Sequence, residues 1–393
     1  MKVLHVTPTY VPAWRYGGPI RSVHGLCKAL AAQGVAVDVA TTTVDGPARL
    51  DVPVGKPVEF DGVTVRYFDS PLLRRLYWSP GLARFVRDHL HEYDLVHLHS
   101  IFLWPTSYAA GIARTRGVPY LLSPRGMLVD ALIRRRNLWL KLAWINLFER
   151  RNLRAAAMVH FTSEIEAADA ARVGVEWAAH CVVPNGVDVA SDPAAAPGGA
   201  PAGTTFGDQP YIVFLGRITW KKGLDRLIAA IARVKNSRLL IVGNDEEGYV
   251  ESLKDLIAKE GVAQRVVLMG AITGAAKDDL LRHAAVLVLP SYSENFGNVV
   301  LEAMAQGCPV IVTREVGAAP IVEQSGAGLV VDGETAALAA AIQRVLGDPG
   351  LRANMGQRGR ETVAAAYSWT AIARRMLERY RDVLRQEHGV RSV

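Results

Sequence analysis

Short apolar segments alternate with amphipathic segments through the second half of the chain. We predict strands at residues 211–215, 239–242, 266–268, 286–289, 310–312 and 328–331, separated by helices that include 224–234, 250–259 and 335–346. Strands that alternate with helices in this way pair in parallel. The pattern therefore predicts an α/β fold with an open parallel sheet, and such sheets bind ligands at the carboxyl ends of their strands.

The first half of the chain begins in the same way. A predicted helix at 22–33 lies between strands at 2–8 and 35–40, and further strands are predicted at 94–99 and 118–123. Residues 191–210 are rich in alanine, proline and glycine and have few large apolar side chains, which is typical of a linker. We therefore predict two Rossmann-like βαβ domains that face each other across a cleft. The predicted parts are a first domain at 1–188, a linker at 189–209, a second domain at 210–366 and a last amphipathic helix at 367–393.

Composition is that of an ordinary globular protein. The chain has 393 residues, of which 50% are hydrophobic, and no apolar run approaches the ~20 residues needed to span a bilayer. The N-terminus enters a strand pattern directly rather than a signal peptide, so we expect a cytoplasmic protein. Three scattered cysteines, Cys27, Cys181 and Cys308, have neither disulfide nor zinc spacing, and we expect buried thiols in a reducing compartment.

The net charge of +7 falls entirely within residues 1–185, because basic and acidic residues are equal in number beyond them. Much of it lies in a basic segment at 134–154, where arginines are interleaved with tryptophan, leucine and phenylalanine. This composition is typical of a helix that binds an anionic membrane surface, and a solvated basic face on a core helix is the alternative. We expect peripheral binding at the inner face of the cytoplasmic membrane. The sequence contains no recognised nucleic-acid motif, so we expect no nucleic-acid partner.

The stretch from Ser291 to Pro309 has the composition of a ligand site. An apolar strand at 286–289 leads into a turn with Glu294, and Glu302 lies in the helix that follows. The first amides of that helix point toward the carboxyl edge of the sheet, where the positive end of the helix dipole favours an anion. Amides for an anion and carboxylates for hydroxyls suit a phosphorylated sugar. The alternative is that both glutamates are surface residues that merely complement the helix dipole.

A second candidate site follows the first strand of the second half. Glycines bracket the loop from Gly216 to Gly223, and Arg217 and Lys222 lie near its two ends. Arginine offers a planar fork and lysine a point charge, which together suit a diphosphate. The sequence contains no Asp-x-Asp pair, the usual carrier of a divalent ion for nucleotide sugars, so we expect these cations to act without a metal.

The first half contributes two weaker candidates. Gly17 and Gly18 precede a helix and allow the backbone to approach a phosphate, although they do not spell GxGxxG. His97 and His99 lie on one face of the strand at 94–99. We expect His97 to be a hydrogen-bonded core residue, whereas His99 stands at the carboxyl end of the strand, where a site residue and a core residue are both consistent with its position.

Gly216-Arg217 with Lys222-Gly223, followed by Glu294 and Glu302, resembles the retaining GT-B glycosyltransferases of family 4. The resemblance extends over nearly the whole chain, including Gly17-Gly18, the strand at 94–99 and Pro184-Asn185-Gly186-Val187-Asp188. It implies that the closing helix crosses back to the first domain. It also implies a nucleotide-sugar donor, UDP- or GDP-hexose, as substrate and no required cofactor or metal.

The resemblance implies a role for each candidate. Arg217 and Lys222 would hold the donor diphosphate with help from Gly17 and Gly18, and Glu302 would bind the ribose. Glu294 would hold the donor sugar and its phosphate together with Phe296, Gly297, Asn298 and Val299. His99 would face the sugar ring across the cleft, and Ile272 would lie near the base. Glu294, His99, Arg217 and Lys222 are thus the catalytic candidates.

One segment departs from the family pattern. Many relatives place His-Gly after the strand that ends near Ser123, whereas this chain has Pro124-Arg125-Gly126. The variant resembles a bacterial branch associated with surface polysaccharides, and it leaves Arg125 as either an acceptor contact or a structural residue. We expect a retaining transferase that moves a hexose to a saccharide acceptor, carried on a polyprenyl diphosphate. The alternatives are a nucleotide-sugar epimerase of the same fold and a non-catalytic nucleotide-sugar-binding protein.

Overall fold

The chain divides into two compact units. The computed structural model describes residues 1–129, 133, 138–189, 210–245 and 247–391. The N-terminal domain comprises Met1–Gly186 and Trp369–Val393, and the C-terminal domain comprises Val187–Ser368. The predicted linker from residue 190 onward lies outside the described residues, as do Arg134, Arg135 and Arg136 of the predicted basic segment.

The N-terminal domain contains one large sheet and a small hairpin. Its strands are β1 (Lys2–Val6), β2 (Ala36–Thr42), β3 (Val44–Asp45), β4 (Ala48–Arg49), β5 (Pro57–Phe60), β6 (Val63–Phe68), β7 (Leu95–His99), β8 (Tyr120–Ser123), β9 (Met158–Phe161) and β10 (His180–Val182). The large sheet has the order β10-β9-β8-β7-β1-β2-β6-β5, and β3 pairs with β4 separately. All pairs in the large sheet are parallel except β5 with β6. The order reverses between β1 and β7, and ligands bind at the carboxyl ends of strands at such a point.

Helices cover this sheet. They are Gly18–Ala31, Pro80–His89, Trp104–Arg116, Leu138–Trp144, Arg150–Ala155, Glu164–Arg172 and Trp369–Arg391. The helix predicted at 22–33 begins earlier, at Gly18, because Pro19 is tolerated in a first helical turn and continues the helix toward the N-terminus. The basic segment is not one regular helix, since a π-helical turn at Ile145–Glu149 interrupts it. None of the described helices is both long and apolar enough to cross a bilayer.

The last helix packs within the N-terminal domain. Its first residue, Trp369, lies against Gly25 and Gly186, where a Cβ atom at either glycine would overlap the indole ring. Farther along, Tyr380 is fully buried. The sequence predicted the amphipathic helix from its own periodicity, and these contacts show what its apolar face covers.

The strands in the described part of the C-terminal domain form one fully parallel six-stranded sheet. Its strands are β11 (Tyr211–Leu215), β12 (Arg238–Val242), β13 (Val266–Met269), β14 (Val286–Leu289), β15 (Val310–Thr313) and β16 (Gly328–Val331). The order is β13-β12-β11-β14-β15-β16, so the direction of winding reverses between β11 and β14. All four residues of β14 are buried because helices cover both faces of the sheet. The predicted Rossmann-like α/β fold is confirmed for both domains.

The helices of the C-terminal domain mostly agree with the sequence prediction. They are Leu224–Arg233, Tyr249–Lys259, Ala275–His283, Asn298–Ala305, Ala319–Ser325, Thr335–Gly347 and Pro349–Thr362. The short helix Ala319–Ser325 was not predicted, and neither was the helix Pro349–Thr362. Of its 14 residues only Met355, Gly356 and Gly359 are buried, so it has almost no apolar periodicity to detect. Its two buried glycines let it lie directly against the backbone of Gly307 and Met304.

Candidate active site

The loop after β11 is held against the end of β14 by a glycine. Trp220–Lys222 forms a short 3-10 turn, and Gly223 follows it in a left-handed conformation with φ of 65°. A Cβ atom at Gly223 would overlap the carbonyl oxygen of Pro290, the residue that follows β14. Tyr292 also donates its backbone N–H to the Lys221 carbonyl, at 2.7 Å. The two loops are therefore fixed to each other at the carboxyl edge of the sheet.

Lys222 and Glu294 contact each other directly at this edge. The Lys222 Nζ and Glu294 Oε2 form an ion pair, and both side chains are largely buried. The backbone of Glu294 is anchored as well, because its N–H donates to the Glu315 carbonyl at 3.1 Å and its carbonyl accepts from the Gly317 N–H at 2.9 Å. Two predicted site residues that are 72 positions apart thus come together.

The helix Asn298–Ala305 begins beside this ion pair. Its N-cap is Gly297, with φ of 88°, and a Cβ atom there would lie 3.0 Å from Val316 Cγ1 and 3.2 Å from Leu289 Cδ2. The preceding Phe296 is buried, and its carbonyl accepts from the Ala318 N–H at 2.8 Å. Within the described residues no side chain caps the helix and no acid lies in its first turn. Its positive end is therefore available to an anion.

Glu302 has a cationic partner of its own. The Lys277 Nζ lies 3.1 Å from Glu302 Oε1, and both side chains are partly buried. Lys277 belongs to the helix that follows β13 and the turn with Ile272. Ile272 is partly buried and packs against the core of the domain. Sequence analysis did not predict Lys277, because no motif spacing links it to Glu302.

Arg217 and Val299 complete the predicted donor residues of this domain. Arg217 is exposed two residues after the end of β11, next to Ile218, whose N–H donates to the Asn244 carbonyl at 2.8 Å. Val299 is partly buried in the first turn of its helix. The structure therefore brings Lys222 to Glu294 and Lys277 to Glu302, and it places Arg217 on the loop that carries Lys222.

In the N-terminal domain, the loop after β1 leaves its backbone open. Gly17 has φ of 66° and is the N-cap of Gly18–Ala31, so Gly18 is the first helical residue. A Cβ atom at Gly17 would have no neighbour within 4 Å among the described residues. This open backbone at a helix start fits the predicted approach of a phosphate.

His99 lies deeper than its predicted role suggests. Only 1% of its surface is exposed, and both ring nitrogens have partners. Arg125 Nη2 lies 3.1 Å from His99 Nδ1, and His5 Nδ1 lies 2.9 Å from His99 Nε2. The contact of His99 with a sugar ring stays a prediction.

One hydrogen-bonded chain joins Arg125, His99 and His5, and a second one joins His160, His97 and Tyr380. The His160 Nε2–H donates to the Val183 carbonyl at 2.8 Å, so the His160 Nδ1 must be an acceptor. The His97 Nε2 lies 3.4 Å from it and therefore carries the proton, which leaves His97 Nδ1 to accept from the Tyr380 hydroxyl at 2.7 Å. His97 is thus a hydrogen-bonded core residue, as expected.

Burial keeps these histidines neutral. It lowers the pKa of His5 and of His160 to about 3, and the positive charge of Arg125 adds to the effect in both cases. Burial also holds the pKa of His97 and of His99 well below the usual value. His5, His97 and His99 offer nitrogens within 4.8 Å of one another, the grouping of a metal site, but the Arg125 cation on His99 opposes a dication there.

Arg125 follows β8 in an unusual conformation. Its φ is 55°, and its Nη1 donates to the Asn185 Oδ1 at 3.0 Å. The buried Glu166 fixes the neighbouring backbone, because its Oε1 accepts from the Gly126 N–H at 2.6 Å and its Oε2 accepts from the Thr162 N–H at 2.7 Å. Sequence analysis did not single out Glu166, because no motif or spacing marks it.

Two family models match the chain. The model described as Glycosyltransferase Family 4 matches residues 16–191, and the model described as Glycosyl transferases group 1 matches residues 201–362. LpsE of Rhizobium meliloti, a lipopolysaccharide core biosynthesis glycosyltransferase, is 36% identical over 43% of this chain and 48% of LpsE. A D-inositol 3-phosphate glycosyltransferase of Arthrobacter sp. is 29% identical over 98% of this chain and 94% of the relative. The stretch shared with LpsE thus spans about half of that relative.

Solved structures show the same fold over almost the whole chain. Sucrose-phosphate synthase from Thermosynechococcus elongatus is 26% identical with a TM-score of 0.77, and the match covers 98% of this chain and 100% of that one. HepE of Anabaena, solved with UDP and glucose, is 21% identical with a TM-score of 0.72, and the match covers 97% of this chain and 100% of HepE.

Proposed function

Because the chain belongs to the group 1 and family 4 glycosyltransferases of GT-B fold, we propose that it is a retaining hexosyltransferase. It would move a hexose from a UDP- or GDP-linked donor to a saccharide acceptor. The observation that carries the proposal is the pairing of Lys222 with Glu294 and of Lys277 with Glu302 on the loops and helices that follow the strands. Carboxylates with cations beside a helix N-terminus suit a ligand that offers both hydroxyls and phosphates.

The proposed reaction exchanges one bond of the anomeric carbon for another. The bond from this carbon to the diphosphate oxygen breaks, and the acceptor hydroxyl oxygen bonds to the carbon on the same face of the sugar. The hydroxyl proton passes to the leaving phosphate, and the nucleoside diphosphate is released. Arg217 and Lys222 stabilise the charge that develops on the leaving group, which is the reason that we expect no metal requirement. Glu294 and Glu302 hold the sugar and ribose hydroxyls.

The names of similar proteins support the substrate classes. HepE was solved with UDP and glucose, and LpsE is named for lipopolysaccharide core synthesis. We therefore propose a saccharide acceptor attached to a lipid, such as a polyprenyl diphosphate, and a place for the enzyme at the cytoplasmic face of the membrane.

An exposed apolar surface in the N-terminal domain supports this location. Trp139 is 82% exposed, Leu140 72%, Leu147 69% and Phe148 43%, all within the interrupted basic segment. Glu149, the one acid among residues 138–155, is turned inward, where its Oε1 accepts from the Phe102 N–H at 3.0 Å. The outer surface thus combines apolar side chains with cations such as Arg151 and carries no acid of this segment. That combination suits an anionic bilayer.

The donor site is tested by nucleotide binding. Isothermal titration with UDP and GDP should show that Lys222→Ala lowers the affinity about tenfold to a hundredfold, because a charge-assisted hydrogen bond is worth ~1.5–3 kcal/mol. Lys221→Ala is the matched control, since it removes the same charge from the same turn without touching the Glu294 pair. Equal affinity in wild type and Lys222→Ala would contradict the site. Nucleoside diphosphate release that needs an acceptor would separate transfer from epimerisation.

The membrane surface is tested by flotation with vesicles of phosphatidylglycerol and phosphatidylcholine. The wild type should float with anionic vesicles, and Trp139→Ser combined with Leu147→Ser should abolish flotation. Val54→Ser, which changes a residue that is 38% exposed elsewhere in the domain, should have no effect. A double variant that still floats, or a wild type that dimerises without binding vesicles, would refute the proposal.

A further inference from the structure

The hydrogen bonds around His99 have a fixed direction. A guanidinium can only donate, so the His99 Nδ1 that faces Arg125 at 3.1 Å is unprotonated. The proton is therefore on Nε2, which donates to the His5 Nδ1 at 2.9 Å. His99 therefore accepts a hydrogen bond from Arg125 and donates one to His5. Neither nitrogen is left to accept from or donate to a substrate hydroxyl.

The Arg125 guanidinium forms no ion pair with any carboxylate that the structure describes. Two of its five N–H groups donate to Asn185 and His99, both neutral. Its Nε is buried with no hydrogen-bond partner, and no described carboxylate lies within ion-pair distance. Glu166 is the acid whose charge acts on it, but both Glu166 oxygens are occupied by Gly126 and Thr162. A desolvated guanidinium in this state is costly unless a ligand supplies the counter-charge.

The position of Arg125 fits that interpretation. It lies two residues after the end of β8, which pairs with β7, and β7 pairs with β1. The loops after these three strands therefore leave the same edge of the sheet, including the loop that carries the open backbone of Gly17. The left-handed φ of 55° at Arg125 is a strained conformation that the contacts of Gly126 and Asn185 maintain. Backbone strain of this kind is typical of residues whose side chain is held in one orientation at a functional site.

We propose that Arg125 is a phosphate-binding residue of the N-terminal domain and that His99 is a positioning residue that holds the Arg125 guanidinium. The fork of a guanidinium matches two oxygens of a phosphate. The inference rests on the proposed function, in which two ligands carry phosphate: the nucleotide-sugar donor and a lipid-linked acceptor. In this proposal His99 orients Arg125, whereas the family resemblance implies that His99 faces the sugar ring.

Isothermal titration of two probes tests the assignment. UDP or GDP, whichever binds the wild type, represents the donor, and farnesyl phosphate represents a lipid-linked acceptor. Arg125→Gln should weaken at least one of them about tenfold to a hundredfold. Arg125→Lys keeps the charge but loses the fork, so it should bind with intermediate affinity. The probe that loses affinity identifies the source of the phosphate. Melting temperatures check folding, and Arg125→Lys alone decides if Arg125→Gln does not fold.

Two substitutions of His99 separate positioning from contact. The amide of His99→Gln can accept from Arg125 and donate to His5, so this variant should keep affinity within about threefold. His99→Leu removes both bonds and should weaken binding as Arg125→Gln does. The proposal is overturned if Arg125→Gln binds both probes as the wild type does, or if His99→Gln loses as much affinity as His99→Leu. Failure of the proposed function itself would appear differently, as a wild type that binds no nucleoside diphosphate.

Discussion

Replacement of Gly223 by alanine should lower the stability of the C-terminal domain and disturb the proposed donor site. Gly223 has φ of 65°, and an alanine in the left-handed region costs about 1–2 kcal/mol. Its new Cβ would also overlap the Pro290 oxygen and lie 2.9 Å from the Pro290 carbonyl carbon. Carbon atoms prefer a separation of about 3.5–4.0 Å. The two loops must therefore move apart, and overpacking of this kind costs about 1–3 kcal/mol more.

Gly261 provides a matched control for Gly223. It has φ of 66° in the same domain, but a Cβ atom there would meet nothing within 4 Å among the described residues. Gly261→Ala should therefore lose only the conformational part, about 1–2 kcal/mol, whereas Gly223→Ala should lose about 2–5 kcal/mol.

Urea denaturation measures the loss of stability, and titration with nucleoside diphosphate measures the site. Gly223→Ala should also lower the affinity for the nucleotide, because the adjacent Lys222 moves with the loop and loses its position beside Glu294. Gly261→Ala should bind as the wild type does. Equal urea midpoints for the two variants would refute the argument from the Pro290 contact, since only that contact distinguishes them.

Two further predictions concern the buried hydrogen-bonded chains of the N-terminal domain. The pKa of His160 is lowered to about 3 in the folded protein, so the unfolded chain takes up the proton first as the pH falls below about 6.5. Stability should therefore fall between about pH 6.5 and 3, by about 1.4 kcal/mol per pH unit for each such histidine, and His160→Gln should reduce the slope of urea midpoint against pH. An unchanged slope would contradict the neutral, buried state of His160. Tyr380→Phe should lower the free energy of unfolding by about 1–3 kcal/mol, because it leaves the buried His97 Nδ1 without a donor. Tyr292→Phe removes a more exposed hydroxyl and should change the free energy of unfolding by less than about 0.5 kcal/mol. Equal losses in the two variants would contradict the stabilising hydrogen bond from Tyr380 to His97.

The proposed donor residues Arg217, Lys222 and Glu294 could be predicted because each lies in a loop that follows a strand. An apolar run marks the strand, a glycine marks the turn, and the carboxyl ends of parallel strands meet at one edge. Lys222 and Glu294 could be expected to come close for that reason, although 72 positions separate them. Lys277 could not be predicted, because it lies within a helix and no turn or spacing marks it. Its importance comes only from its distance to Glu302.

The N-terminal domain shows a different limit of sequence analysis. Alternation placed His97 and His99 on one face of β7, and the strand pattern placed His5 in β1. The pairing of β1 with β7 sets His5 opposite His97, and this register depends on long-range packing that no local pattern encodes. The direction of the hydrogen bonds is decided farther away still, by Arg125 for the chain through His99 and by the Val183 carbonyl for the chain through His160.

The amino-acid sequence by itself determined most strands and helices of the C-terminal domain and the edge of each sheet where a ligand is expected. Periodicity, glycine placement and the order of strands are local properties, and they suffice to predict two Rossmann-like domains. The donor roles proposed for Arg217, Lys222, Glu294 and Glu302 come from a resemblance in motif and spacing. Only the tertiary structure decided which groups share protons and charges. Glu149 turns inward, Lys277 pairs with Glu302, and no described carboxylate pairs with Arg125, because of distances between residues far apart in the chain. Electrostatic and hydrogen-bond energies depend on those distances and on burial, which exist only after the chain has folded.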